Sequence, residues 1–294
     1  MHEHVLVDFI GADQIRKDRY SRDEVSRIVT PHLRRLRQAG CRTLVECTPA
    51  YIGRDPLLLR QLSKAAGIQI LTNTGYYGAA NQKYLPSHAF TEDANQMAKR
   101  WTDECRHGIE NTGIKPAFIK IGVNAGPLSK IDSKLVRAAA RAHRATGLTI
   151  ASHTGNGRAA LDQLAILKDE GVSPAALIWV HAQNEKDSGI HFDAARQGAW
   201  VEYDGIRASS LERDISYVRE FFNQRLSHRL LLSQDAGWYH VGELNGGSFQ
   251  SYEYLVTIFV KELLSRGTTQ EQVRTLLIEN PRSALIPKKR ISGA

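Results

Sequence analysis

Residues 117–181 open with AFIKIGV (Ala117 to Val123), pass through LTIASH (Leu148 to His153) and end in LIWVH (Leu177 to His181). Each run is nearly continuous in apolar residues, as strands buried on both faces are. Between them Ser133 to Thr146 and Arg158 to Glu170 carry helical periodicity. Strand, helix, strand, helix is the order that builds a parallel sheet through crossover helices. The alternation extends outward in both directions. Upstream, strands are expected over Arg42 to Cys47 and Ile68 to Asn73, with helices over Asp23 to Gln38, Pro56 to Ala66 and Thr91 to Asn111. Downstream, strands are expected over Ala199 to Tyr203 and Arg229 to Ser233, with helices over Asp187 to Gln197, Leu211 to Arg225, Gln250 to Ser265 and Thr269 to Glu279. Gly40, Gly67, Gly147, Gly171, Gly198 and Gly267 each follow a helical run, where a left-handed terminating residue is wanted.

With 294 residues and 42% hydrophobic content, the chain is long enough for the roughly 250 residues of one (β/α)8 TIM barrel. The expectation is therefore an α/β fold with a single domain over 1–294. Cys41, Cys47 and Cys105 form no CxxC pair, and their reading is core filler in a reducing, cytoplasmic setting. No run approaches the roughly 20 apolar residues of a membrane span, and no export-signal pattern stands at the start. The chain reads as soluble, with no membrane partner. Its net charge of +8 is spread over helical faces such as Arg34-Arg35-Leu36-Arg37 and a Lys288-Lys289-Arg290 tail. Without interleaved aromatic residues, this points to solvated surface rather than nucleic acid, while still favouring anionic small molecules.

Chemistry collects where the strands end. His2 and His4 lie two apart, so an extended segment presents both imidazoles to one side. Lys120, His153, His181 and Asp235 follow at intervals of 33, 28 and 54 positions, about one, one and two strand-plus-helix units. A barrel gathers all six at one mouth. Lys120 sits inside an apolar strand, where a bare ammonium is costly unless paired, neutralised or modified. Three readings stand: an ion pair with a neighbour such as Glu46, a Schiff-base lysine, or a lysine carboxylated by CO2 into an anionic ligand. His153 and His181, each at the end of an apolar run, and Asp235 after Leu230-Leu231-Leu232 suit metal ligation better together than apart.

The order His2-Glu3-His4-Val5, Ile52-Gly53-Arg54-Asp55, Thr74-Gly75-Tyr76-Tyr77, Ile119-Lys120-Ile121-Gly122, Ser152-His153-Thr154-Gly155 and Ser233-Gln234-Asp235 resembles the phosphotriesterase family of the amidohydrolase superfamily. The resemblance spans nearly the whole chain. It implies two divalent metals, usually zinc, with Mn2+ or Co2+ as substitutes. His2, His4 and Asp235 would hold the more buried ion, His153 and His181 the more exposed one, and N6-carboxylated Lys120 would bridge them with a hydroxide. Asp235 would accept the proton. The implied activity is hydrolysis of a small-molecule lactone, carboxylic ester or phosphoester, by a lactonase-like enzyme that the resemblance suggests is a homodimer. A deaminase or amide hydrolase of the superfamily, a Schiff-base aldolase, and a metal-poor binding protein or inactive fragment are the rivals. Substrate contacts are expected from Tyr76, Tyr77, Arg207, Trp238 and Tyr239, with Lys186 a second anion partner.

One departure concerns the start. In the family, apolar residues precede the paired histidines and form the body of strand one, whereas here only Met1 precedes His2. Strand one is expected to be truncated at the N-terminus, leaving its ligands beside a fraying end. A misplaced start codon or partial gene accounts for this, leaves export open, and predicts weak occupancy of the buried metal.

Overall fold

The computed structural model describes residues 1–292. Among them, parallel strands follow the sequence as β1 (Leu6–Val7), β2 (Thr43–Val45), β3 (Gln69–Leu71, resumed as Asn73–Thr74), β4 (Phe118–Val123), β5 (Ile150–Thr154), β6 (Leu177–Val180), β7 (Trp200–Tyr203) and β8 (Leu230–Leu232). From β2 to β8 each neighbour pairs in parallel, with Asn73 opposite Phe118, Gly122 opposite His153, and Glu202 opposite Leu231, while β1 pairs in parallel with Tyr239–His240. The ring closes through residues 2–4. On one side Glu3 N–H donates to Val45 O (3.1 Å) and Cys47 N–H to Glu3 O (2.8 Å). On the other, Asp235 N–H donates to His2 O (3.0 Å) and His4 N–H to Ala236 O (2.8 Å). The fold is the (β/α)8 barrel.

The helices are α1 (Arg22–Gln38), α2 (Pro56–Ala66), α3 (Ala94–His107), α4 (Lys130–Thr146), α5 (Gly157–Asp169), α6 (Ser188–Arg196), α7 (Leu211–Asn223), α8 (Leu255–Phe259, continued as Val260–Ser265) and α9 (Gln270–Arg274, continued to Leu285). Local sequence sets their ends. The Asp55 carboxylate accepts from Leu57 and Leu58 N–H at the start of α2, and Gly67 closes it in the left-handed conformation at φ 65°. Two expected helices are corrected. Residues 91–111 are not one helix, because Asp93 forms a reciprocal capping box with Gln96 and starts α3 afresh. The helix expected from Gln250 begins only at Leu255, because the segment before it pairs with the turn after β8: Gly237 N–H donates to Gln250 O (3.1 Å) and Gln234 Nε2 to Ser251 O (3.1 Å).

Alternation along each strand decides what reaches the lumen. Ile119, Ile121, Val123, Ile150, Val201 and Tyr203 pack outward beneath the helices. Val45, Phe118, Ala151, Ile178, Trp200 and Leu231 turn inward and form an apolar plug. Burying one such side chain contributes about 1.5–3 kcal/mol, and the plug seals the lumen below the mouth. Two residues further along the same inward rows stand Lys120 after Phe118, His153 after Ala151, and Glu202 after Trp200. The site is thus the polar layer that follows the apolar one on the same faces of the same strands. Residues 2–4 are not frayed as expected: His2 and His4 are 1% and 6% exposed, since hydrogen bonds to β2 and to the segment after β8 hold the extended stretch from both sides.

Candidate metal centre

His2, His4 and Asp235 come together, with one ligand atom from each inside a 4.8 Å circle. His2 Nε2 lies 3.2 Å from His4 Nε2, and Asp235 Oδ1 lies 3.1 Å from His4 Nε2 and 3.7 Å from His2 Nε2. Two imidazole nitrogens and a carboxylate oxygen converging on one point are the donor set of a divalent transition-metal ion. His4 is oriented from behind, its Nδ1 standing 2.8 Å from Thr48 Oγ1, which leaves Nε2 free to face the site. Asp235 has φ 52°, a left-handed backbone that aims its carboxylate back across the lumen.

His181 forms the other half. It too is left-handed, at φ 63°, and its ring lies 4.4 Å from the His153 ring and 5.0 Å from that of His2, centroid to centroid. Asp204 grips it twice, accepting from His181 N–H at 3.0 Å and facing Nδ1 at 2.7 Å. The same carboxylate reaches His2 Nδ1 at 3.3 Å and accepts from Gln183 Nε2 at 2.6 Å. His2, His181 and Asp204 satisfy the same 4.8 Å convergence. On β4, two residues beyond the inward-facing Phe118, Lys120 is 2% exposed and its Nζ has no hydrogen-bond partner among the described residues. The expected alternative of an ion pair with Glu46 is not formed. Glu46 Oε1 instead accepts from Val5 N–H (3.2 Å) and Thr48 N–H (3.3 Å), because Glu46 stands one residue out of step with the inward-facing Val45 and Cys47.

At His2, His153 and Asp235 the electrostatics favour metal-competent protonation states, while His181 is drawn toward its protonated form by Asp204. Burial, reinforced by the Lys120 charge, pushes His2 down to about 3. Burial and the neighbouring His181 and Lys120 charges lower His153 well below its ordinary value. Burial also acts on His181, but the Asp204 carboxylate outweighs it and raises that histidine. Asp235 is held below the usual carboxylate range, burial being outweighed by His4 and His2. Neutral imidazoles beside an ionised carboxylate are what a divalent ion requires. The buried Lys120 nitrogen, without a hydrogen-bond partner among the described residues and with a charge that acts on both His2 and His153, fits a site that an ion would complete.

Comparison with known proteins follows the same lines. Residues 1–285 match the phosphotriesterase family. The chain belongs to that family. It is 30% identical over 287 residues to the phosphotriesterase homology protein of Escherichia coli K12, covering 95% of this chain and 94% of that one. The crystal structure of the E. coli protein, complexed with phosphate in its active site, superposes with a TM-score of 0.81 at 28% identity over 95% of each chain. A structure described as organophosphate hydrolysis engineered from a weak promiscuous lactonase template gives 0.84 at 27% identity, covering 98% of this chain and 94% of that one. The N-acetyltaurine hydrolase of Danio rerio is 26% identical over 84% of this chain and 73% of its own. Family membership makes the chain a metal-dependent hydrolase.

The family-implied ligand residues all lie at the C-terminal mouth of the barrel, but the five expected substrate contacts divide. In this phosphotriesterase-family chain Trp238 stacks on His4 at 4.3 Å and donates from Nε1 to Asp235 O (2.6 Å). Tyr77 meets His153 edge-on at 4.9 Å. Phe9, 39% exposed, extends the aromatic wall, 5.8 Å from Trp238. Tyr76 and Tyr239 are corrections. Tyr76 is buried against Trp101 with its hydroxyl 3.0 Å from His88 Nε2, and Tyr239 is buried opposite Leu6 in the core beneath α1. Both alternate away from the lumen, Tyr76 because Tyr77 faces it and Tyr239 because Trp238 does. Arg207 is exposed, with Nε donating to Gly205 O (3.2 Å). Reasoning from sequence missed Glu3, Thr48, Glu202 and the role of Asp204 as partner of two histidines. Glu202 and Asp204 carried a signal, being acids at alternate positions along an apolar strand, the same anomaly that singles out Lys120.

Proposed function

We propose that the chain is a binuclear metal-dependent hydrolase acting on a lactone, carboxylic ester or phosphoester. The observations that support this reading are the convergence of His2, His4 and Asp235, the adjacent His181 and His153 rings 4.4 Å apart, and the buried, partnerless nitrogen of Lys120, two residues beyond the inward-facing Phe118. His2, His4 and Asp235 would hold the buried ion, and His153 and His181 the exposed one. Lys120 would join them after its amine adds to CO2, forming a C–N bond and releasing a proton to give a carbamate. When bound, the two ions, zinc or its substitutes manganese and cobalt, would supply a hydroxide nucleophile near neutral pH and polarise the carbonyl or phosphoryl oxygen.

The protein's own groups do the rest. Asp235, kept ionised, accepts the proton as the nucleophile adds and returns it to the leaving oxygen. Thr48 and Asp204 fix His4 and His181 from behind, so their free nitrogens face the site. Trp238 and Tyr77 present an apolar surface to the substrate, and Arg207, on the neighbouring loop, offers a positive charge to an anionic substituent. Chelation should abolish turnover in a screen of lactones, esters and organophosphates, with recovery on adding zinc, manganese or cobalt. Hydrolysis that persists at full rate in the metal-stripped protein would overturn the scheme.

Amide hydrolysis is the second reading, favoured by the resemblance to a protein named for N-acetyltaurine. The same geometry serves, since the proton taken by Asp235 can pass to a departing amine. Parallel rates on matched ester and amide substrates separate the two.

A further inference from the structure

Glu3 stands between the two histidines of the opening segment, and alternation turns its side chain away from theirs. It is 6% exposed, and its carboxylate is spent on a single turn. Oε2 accepts from Ala236 N–H at 2.7 Å, Oε1 accepts from Gln234 N–H at 3.1 Å, and Ser233 Oγ lies 2.9 Å from Oε1. The two amides flank Asp235, whose own N–H donates to His2 O at 3.0 Å. Three successive main-chain N–H groups, of Gln234, Asp235 and Ala236, are therefore all taken up by residues 2 and 3. The turn they form is one that a side-chain-bearing residue seldom adopts, with Asp235 at φ 52°.

We infer that Glu3 is a positioning residue that locks the left-handed turn at Asp235, so that the carboxylate already points at His2 and His4 before any ion arrives. The inference rests on the metal-site reading above and assigns Glu3 no contact with substrate or ion. Without both carboxylate oxygens, at least one buried N–H beside Asp235 loses its acceptor. The turn then relaxes toward ordinary backbone angles and swings the Asp235 carboxylate off the His2 and His4 nitrogens. A related arrangement stands in the same mouth, where the buried Asp204 carboxylate accepts from the N–H of left-handed His181 itself rather than from its neighbours.

The test is titration of the metal-stripped full chain with Zn2+ or Co2+ alone, in competition with a chelator, for wild type and Glu3→Gln. Glutamine keeps the length but sets an NH2 against one of the two main-chain N–H groups, so only one can be satisfied. One of the two ions should bind about 10–100-fold more weakly, with a changed Co2+ absorption spectrum, while the other stays within about twofold of wild type. Should Glu3→Gln fail to fold, Glu3→Asp takes its place; it keeps the charge but is one methylene too short to span both amides, and the same selective loss is expected. A folded variant with wild-type affinity for both ions and an unchanged Co2+ spectrum overturns the inference, even if its melting temperature falls, because Glu3 would then support only the fold. Wild-type protein that takes up no divalent ion would instead overturn the metal-site reading itself.

Discussion

Replacing Lys120 by methionine should stabilise the metal-free protein and destabilise the metal-loaded one. Methionine matches the length of the lysine stem, so the lumen keeps its packing. What disappears is a nitrogen that is 2% exposed and has no hydrogen-bond partner. Burying a charge costs several kcal/mol after relaxation, and apolar replacement of buried ionic groups stabilises by about 1–4 kcal/mol. Neighbouring carboxylates such as Glu202 offset part of that cost, since the Lys120 charge pulls against the burial and the Asp204 charge that raise Glu202. A net gain of about 2 kcal/mol is therefore expected without metal, or roughly 4 °C in melting temperature for a chain of this size. With ions at 100 times their dissociation constant, wild type gains about 2.7 kcal/mol per ion. The variant, lacking the group proposed to join the two halves, should lose most of that increment. Melts of stripped and reloaded protein measure all four states. If stripped Lys120→Met is less stable than stripped wild type and its gain on reloading is intact, Lys120 is a structural residue and the binuclear reading fails.

Asp204→Asn should weaken binding of both ions by about 10–100-fold, because an amide cannot accept from His181 N–H while also facing the His2 and His181 Nδ1 atoms; chelator competition measures it, and affinity within twofold of wild type for both ions would contradict the shared role. Gly237→Ala should cost about 3 kcal/mol or more in denaturant unfolding, since an added Cβ would lie 1.8 Å from His4 O at φ 102°; a neutral result would mean that the turn beside Asp235 is soft. Acidification should destabilise the fold through His143. Burial lowers its pKa below the ordinary 6.5, its Nδ1 faces Leu148 O at 2.8 Å, and its Nε2 accepts from Arg290 N–H at 2.9 Å. The unfolded chain binds a proton there that the folded chain refuses, so this contribution is full above about pH 6.5 and is lost as pH falls toward the depressed value. Urea midpoints at pH 7.5 and 5.5 should differ less in a His143→Gln variant, and an equal difference would exclude His143 as the source.

The barrel was legible because buried parallel strands and their crossover helices each leave a periodic signature. Terminal glycines such as Gly67 and Gly147 then marked the helix ends. The failures have two physical causes. Residues 250–254 have helical periodicity, yet Gln250 and Ser251 spend their carbonyls on Gly237 and Gln234 of the turn after β8, so long-range pairing outbids local propensity. Tyr76 and Tyr239 read as mouth residues because each adjoins one, but a one-residue step along extended backbone changes the face.

The same step separates what was found from what was missed at the site. His2, His4, Lys120, His153, His181 and Asp235 announced themselves by residue type at barrel spacing. The groups that hold them in place occupy the intervening or preceding positions. Glu3 lies between the two proposed ligands His2 and His4, Thr48 two residues beyond the buried Glu46, and Glu202 and Asp204 on a strand with no histidine of its own. An acid inside an apolar strand is as costly to bury as a lysine there, and that cost is the readable signal. In residues 200–204, WVEYD, Glu202 and Asp204 demand compensating donors just as Lys120 demands acceptors. In a barrel such donors are confined to the inward faces of the neighbouring strands, where His181 stands on one side. His2 then comes within reach across the mouth, so the pairing of Asp204 with both histidines is a consequence of strand order and alternation together.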